Sequence, residues 1–227
     1  MKKKYYKLFD TFLGNVFFHH QYRIRSFVRS IAQEVDSTET ILDLGAGDCS
    51  YKPLFAQANY IACDIIESPE LDFVCDVCAV PLDSGVIDKI ISIQTLEHFP
   101  EPQLALKEMH RLLKKTGILY FSTNMATDLH IEPYDYYRYT KYGLKYLVER
   151  VGFEVISIKP HGGRGVLIAR EILRLFTSNN AHPLIKYLLL GTFIIPIFIT
   201  IAFLRLIDVV LRDESHTINL DCVCKKN

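Results

Sequence analysis

The run Ile41-Leu42-Asp43-Leu44-Gly45-Ala46-Gly47-Asp48 and the later Asp64 combine the residue types that hold a nucleoside. An apolar segment feeds a glycine turn, and a second apolar run ends on an acid one βαβ step later. The glycines let backbone N–H groups come close to a ligand, and a carboxylate closing the second strand accepts both hydroxyls of a ribose. A glycine turn after a strand is also a plain βα connection. Asp64 at this distance is what adds the ligand to the reading.

Two ligand types use this arrangement. A dinucleotide fingerprint needs Gly-x-Gly-x-x-Gly/Ala, whereas the turn here continues Asp48-Cys49-Ser50. Ser50 is a poor third small residue. Asp48 stands where a pyrophosphate would sit, and like charges there repel. Asp43 is equally unhelpful to phosphate but suits an ammonium. S-adenosyl-L-methionine carries an ammonium and a sulfonium and no phosphate, so the charges favour it over a nicotinamide cofactor.

From Thr40 to Gly152 the chain resembles the class I S-adenosylmethionine-dependent methyltransferases, above all the type 11 group. The resemblance rests on Asp43-Leu44-Gly45-Ala46-Gly47, Cys63-Asp64 and Cys75-Asp76-Val77. It continues through Asp88-Lys89-Ile90-Ile91-Ser92-Ile93, Gln94-Thr95-Leu96-Glu97-His98-Phe99 and the segment Leu104 to Thr123. It implies a cofactor set of Asp43, Gly45, Ala46, Gly47, Asp64, Ile65, Asp76, Val77 and Gln94. Asp43 and the glycines then lie near the methionine part, Asp64 on the ribose, and Asp76 with the Val77 amide at the adenine edge. Many members carry a third glycine where this chain has Cys49. Asp76 alone reads equally as a loop carboxylate or a helix cap.

Methyl transfer from a sulfonium is an in-line displacement, and a hydroxyl acceptor must also lose its proton. His98 follows the fourth predicted strand, at the edge of the sheet where ligands bind in this architecture. The segment His130-Ile131-Glu132-Pro133-Tyr134-Asp135-Tyr136-Tyr137-Arg138-Tyr139-Thr140 follows the fifth and supplies a histidine, acids and aromatics. It is similar to the acceptor-side loop of related methyltransferases. Aromatic faces also suit a sulfonium. His98, His130 and Tyr134 are the candidate catalytic residues. The structural alternatives are that His98 orients its turn, that Asp135 pairs with Arg138, and that Thr140 caps the next helix.

The elements that must position these groups alternate. Strands are predicted near 40–44, 59–64, 71–75, 88–93, 117–123 and 153–159. A helix carries Leu104, Met109, Leu112 and Leu113 on one face and ends in Lys114-Lys115 before Gly117, which suits a helix stop. A further helix spans Lys141–Val151. Alternation of this kind gives a parallel sheet with helices on both faces. The resemblance adds a last antiparallel strand, whose best candidate is His216 to Lys225. The predicted fold is α/β: a Rossmann-like, doubly wound, seven-stranded sheet with the final strand antiparallel. The predicted domains are a basic amphipathic helical segment over 1–38, a core over 39–161, an apolar helical insertion over 162–215 and the last core strand over 216–227. In the first segment Lys2, Lys3, Lys4 and Lys7 crowd among Tyr5, Tyr6, Leu8 and Phe9, and the helix is interrupted near Gly14-Asn15.

Apolar residues make up 49% of the chain and the formal charge is zero, so nothing attracts it globally to nucleic acid. The six cysteines show no disulfide framework and read as cytosolic thiols. Cys75, Cys78, Cys222 and Cys224 form a weak zinc pattern, and no metal is assigned. No apolar segment of signal-peptide length follows the first lysines. Tyr187 to Leu204 runs 18 residues without a charge, just the length for a membrane span. Pro196 interrupts it, both flanks are basic, and both ends must return to one sheet. A helix–Pro–helix wedge in one leaflet follows, with buried core or a homodimer interface as alternatives. The expected protein is a cytoplasmic methyltransferase, peripheral or monotopic on the inner membrane face. Its expected acceptor is a small molecule, a glycan or a lipid-linked intermediate. A non-catalytic membrane-bound scaffold and a nicotinamide-dependent oxidoreductase are the other readings.

Overall fold

The computed structural model describes residues 18–177, 183–211 and 215–227, with no side-chain description for 176–177 and 183–190. Along the chain come α1 (His19–Gln33), β1 (Thr40–Leu44), β2 (Asn59–Asp64), β3 (Phe73–Val74) and β4 (Ile87–Ile93). Then follow α2 (Pro102–Leu112), β5 (Leu113–Asn124), α3 (Lys141–Glu149), β6 (Phe153–His161), α4 (Arg164–Thr177), α5 (Pro183–Leu211) and β7 (Asn219–Lys226). Two compact units result. One spans Ile24–Lys159 and Asn219–Asn227, and the other is centred on Pro160–Ile218 with the described residues up to Arg23.

The sheet has seven strands in the order β3-β2-β1-β4-β5-β7-β6. β1 to β5 pair in parallel, and β7 runs antiparallel to β5. The chain reverses direction across the sheet at β1 and β4, and that is where a doubly wound sheet leaves a crevice at its carboxyl edge. Side chains alternate across each strand. Leu42, Leu44, Ile90, Leu119 and Phe121 meet Leu106, Met109 and Leu112 of α2 and Leu144 and Val148 of α3 on one face. Ile41, Ile91, Ile93 and Tyr120 meet Ile24, Val28 and Ile31 of α1 on the other. The helical stretch expected before His19 lies outside the described residues, as does the lysine cluster.

Three expectations about elements change. The third strand is only two residues long, because this outer strand pairs over a two-residue register. Helix α2 stops at Leu112, and Lys114 and Lys115 belong to β5. Lys114 Nζ is 2.8 Å from both oxygens of Asp88 on β4, so it serves a cross-strand ion pair instead of a helix end. Pro196 does not divide the apolar segment, for α5 is one 29-residue helix with Pro196 inside it. Ile197 and Ile201, just beyond the proline, pack with Ala169 of α4, so the helix continues past the missing N–H.

Helices α4 and α5 form an antiparallel hairpin. Asp208, late in α5, accepts from the backbone N–H of Gly165 at 2.8 Å and of Val166 at 2.6 Å, at the start of α4. A carboxylate there offsets the orphan donors and the positive helix end. Gly165 is required for the approach, since a Cβ would lie 2.1 Å from the Leu204 carbonyl oxygen.

Candidate functional site

The cradle is built where β1 ends. Gly45 turns the chain at φ +80°, and its N–H and that of Ala46 both donate to the Cys63 carbonyl at the end of β2, at 2.9 and 3.1 Å. A Cβ on Gly45 would sit 2.4 Å from Thr95 Cγ2, so the β1 turn passes against the β4 turn with no room for a side chain. Gly47 is also left-handed, at φ +55°, but a Cβ there would meet nothing within 4 Å. The turn is therefore closed on its sheet side and open above Gly47. Cys49, where related chains carry a third glycine, is left-handed as well, at φ 52°, and buried.

Carboxylates surround this opening. Asp64 accepts from Gly47 N–H through Oδ2 and from Ile66 N–H through Oδ1, each at 2.9 Å. Each oxygen keeps a lone pair for a further donor. Asp43 is buried beneath the turn and accepts from the Tyr60 hydroxyl. Desolvation pushes its carboxyl up to about 7, with the nearby Asp64 charge adding to the rise and the Tyr60 hydrogen bond opposing it. Asp48 is exposed. Ile65, beside Asp64, is exposed and apolar. Asp76 closes a turn by accepting from Cys78 N–H at 2.8 Å, and Val77 is half-buried against the core. Gln94 is left-handed at φ 58°. Its amide donates to Ser122 Oγ at 3.0 Å and Asn219 Oδ1 at 2.7 Å, so its side chain ties β4 to β5 and β7 while its backbone lines the edge. These acids fit a cationic nucleoside cofactor and oppose a pyrophosphate.

The second half of the site follows β4 and β5. His98 ends a short 3₁₀ turn, Leu96–His98, and its Nδ1 lies 2.7 Å from the Tyr134 carbonyl oxygen. His130 packs edge-on to His98 with ring centroids 4.8 Å apart. The loop is fixed by Asp135 and Arg138, joined by two bonds of 2.7 Å, and Asp135 also accepts from His130 N–H at 3.0 Å. The Arg138 guanidinium holds the Asp135 carboxyl well below the usual carboxylate range. Tyr134 itself points outward and is exposed. Thr140 caps α3 by accepting from Gly143 N–H at 3.1 Å. Thus the loop brings His98, His130 and the Tyr134 backbone together, and leaves the Tyr134 ring to solvent.

Sequence reasoning missed two residues here. Glu97 is completely buried, accepting from Thr123 Oγ1 at 2.7 Å and Asn124 Nδ2 at 2.5 Å. Burial pushes its carboxyl upward. A Glu beside a His was visible in the run after β4, but no pattern announced its burial. Tyr60 reaches Asp43 only through the pairing of β2 with β1, for which the sequence carries no signal. The four cysteines of the zinc pattern are free thiols, Cys222 and Cys224 buried in β7.

Comparison with known proteins places this geometry. Residues 42–121 match the family model of the type 11 methyltransferase domain. The tRNA (carboxymethyluridine(34)-5-O)-methyltransferases of Macaca fascicularis and Mus musculus are 33% and 32% identical over 92 and 106 residues. Those stretches are 36% and 42% of this chain, but only 14% and 15% of the relatives, so the chain spans about one seventh of their length. Among solved structures, geranyl diphosphate methyltransferase in complex with S-adenosylmethionine superposes with a TM-score of 0.58 at 11% identity, covering 89% of this chain and 84% of that one. The 1,6-didemethyltoxoflavin-N1-methyltransferase of Burkholderia thailandensis gives 0.57 at 16%, covering 90% and 78%. The [4+2]-cyclase SpnF gives 0.56 at 15%, covering 88% and 79%, so this fold by itself does not fix the reaction. Over residues 42–121 the chain matches the methyltransferase domain family, and its sheet has the fold of the class I, S-adenosylmethionine-dependent methyltransferases.

Proposed function

We propose that this chain transfers the methyl group of S-adenosylmethionine to a small-molecule, glycan or lipid-linked acceptor at the cytoplasmic face of a membrane. The observation that carries the cofactor half is the open, acid-lined turn of Asp43, Gly45, Gly47 and Asp64. Asp43 would answer the ammonium and Asp64 the ribose hydroxyls, with Ile65 and Val77 beside the base. The loop of His98, His130 and Tyr134 would receive the acceptor. The zero formal charge argues against a nucleic-acid acceptor.

The membrane half rests on α5. Its Gly191–Leu211 portion is long and apolar enough to cross a membrane by length and composition, with a mean hydropathy of 2.4. Ile195, Ile199, Phe203, Leu206 and Val210 stand along one side of it, each 59–70% exposed. A single crossing would require α4 to accompany α5 through the bilayer. That helix has only 14 residues and carries Arg164, Arg170, Glu171 and Arg174. The pair therefore suits a hairpin lying in one leaflet with its outer face in lipid.

Two measurements test the reading. In detergent, the full chain should show a thermal shift with S-adenosylmethionine and its demethylated product and none with NAD; the reverse pattern overturns the cofactor half. Without detergent it should float with phosphatidylcholine–phosphatidylglycerol vesicles. A chain that stays in the aqueous fraction as monomer or homodimer overturns the membrane half.

A further inference from the structure

Glu97, His98 and His130 each offer a ligand atom, and the three atoms lie within 4.8 Å of one another. The protons on the two rings are fixed by their neighbours. His98 Nδ1 faces the Tyr134 carbonyl at 2.7 Å, and a carbonyl only accepts, so Nδ1 carries the proton. Nε2 then presents its lone pair. It is shielded from solvent and has no hydrogen-bond partner among the described residues. His130 repeats the pattern. Its Nδ1 faces the Asp128 carbonyl at 3.0 Å and the Asp135 carboxylate at 3.4 Å, both acceptors, which leaves the lone pair on Nε2. Imidazoles anchored through one N–H to a carbonyl or carboxylate are the form in which histidine ligates metals.

The third group completes the set. Glu97 accepts from Thr123 through Oε2 and from Asn124 through Oε1, and each carboxylate oxygen has two lone pairs to offer. Asn124 Oδ1, from the same patch, is likewise shielded and unpartnered among the described residues. A carboxylate this deeply buried is costly to ionise, and a metal ion would relieve that cost.

We infer that Glu97, His98 and His130 form a binding site for one divalent transition-metal cation, Zn²⁺ or an ion of similar preference. Two imidazoles and a carboxylate select such ions over Mg²⁺ and Ca²⁺. Tetrahedral ligands at about 2.0–2.1 Å stand roughly 3.4 Å apart, so the trio closes by about 1 Å on loading. His130 lies on a loop and can supply that movement. Three protein ligands leave a coordination position for an oxygen of the acceptor. Loading occupies the lone pairs that would otherwise make His98 and His130 general bases.

The test uses untagged, full-length protein in detergent, stripped with EDTA and titrated with Co²⁺. One equivalent should give the visible absorption of four- or five-coordinate Co²⁺, bleached by Zn²⁺. His98→Ala and His130→Ala should each weaken Co²⁺ binding at least tenfold while leaving the S-adenosylmethionine thermal shift intact. If His98→Ala fails to fold, His130→Ala on its half-exposed loop still decides. A spectrum no different from aqueous Co²⁺, or affinity unchanged in the folded variants, overturns the site. Loss of the S-adenosylmethionine response with Co²⁺ binding intact would instead overturn the proposed function and leave the metal site standing.

Discussion

In the sheet core, Ile41, Leu42, Leu44, Ile90 and Ile91 are closed off from solvent on both faces; along α5, Ile195, Ile199, Phe203 and Val210 are as apolar and stand open. The core strands have a helix layer on each side, whereas among the described residues the apolar contact of α5 is with α4, on the side of Ile197 and Ile201. Ile197 and Ile201 fill that contact with Ala169. Apolar residue types thus tell what a segment avoids, and the number of packed neighbours tells whether the protein itself supplies the shelter.

The sharpest way to break this comparison is to make the outer face of α5 polar. Ile195→Gln with Ile199→Gln and Phe203→Gln removes side chains worth about 1.5–3 kcal/mol each when buried in lipid. Vesicle partitioning should fall by about a thousandfold or more while the melting temperature stays within a few degrees. A collapse of the melting temperature would mean that protein, not lipid, covers the face. In the core, by contrast, Leu42→Ala should cost about 2–5 kcal/mol by denaturant titration.

Gly45→Ala comes next. It combines a left-handed backbone with a Cβ pressed 2.4 Å from Thr95 Cγ2. A loss of about 2–4 kcal/mol in unfolding free energy is expected. Gly47→Ala has open space above it and should cost less stability but more cofactor affinity. Equal losses at the two glycines would mean the turn is only a connection. Asp64→Ala should then weaken S-adenosylmethionine binding by about 1.5–3 kcal/mol in calorimetry, since charge-assisted hydrogen bonds to the ribose are lost.

A pH dependence set by Asp43 is expected as well. Its carboxyl is raised to about 7 in the fold, above its value of 3.8 in the open chain. Between those values the folded state holds a proton that the unfolded state has released. Stability therefore falls as pH rises from about 4 to about 7, and is flat above. Affinity for a cationic cofactor runs the other way, because binding wants the ionised form. It should climb up to tenfold per pH unit approaching 7 and level off above it. Asp43→Asn should flatten both profiles; an unchanged affinity profile would place Asp43 away from the ammonium.

Most of the core was legible because it repeats local rules. The apolar runs at 40–44, 59–64 and 88–93 stand within a residue of the observed strands. The boundary after α2 was not legible. Lys114 and Lys115 suit a helix end as well as a strand, and only the distance to Asp88 on the neighbouring strand decides between them. Pro196 misled for a related reason. A proline weakens a helix locally, but tertiary packing of the turns that follow it, here Ile197 and Ile201 on Ala169, decides whether the helix breaks.

By itself the sequence determined the order of strands and helices, the glycine turn, the acids that follow it, and an apolar excursion before the last strand. These are matters of spacing along one chain, governed by backbone conformation and hydrophobic period. The tertiary structure decided what touches what across long separations. It set Tyr60 beneath Asp43 and Glu97 in a buried corner with Thr123 and Asn124. It turned His98 and His130 so that backbone carbonyls hold their protons, and it seated Asp208 on the start of α4. None of these contacts is encoded in a local pattern, because each arises only when the sheet or the hairpin has closed and brought the partners within hydrogen-bonding distance.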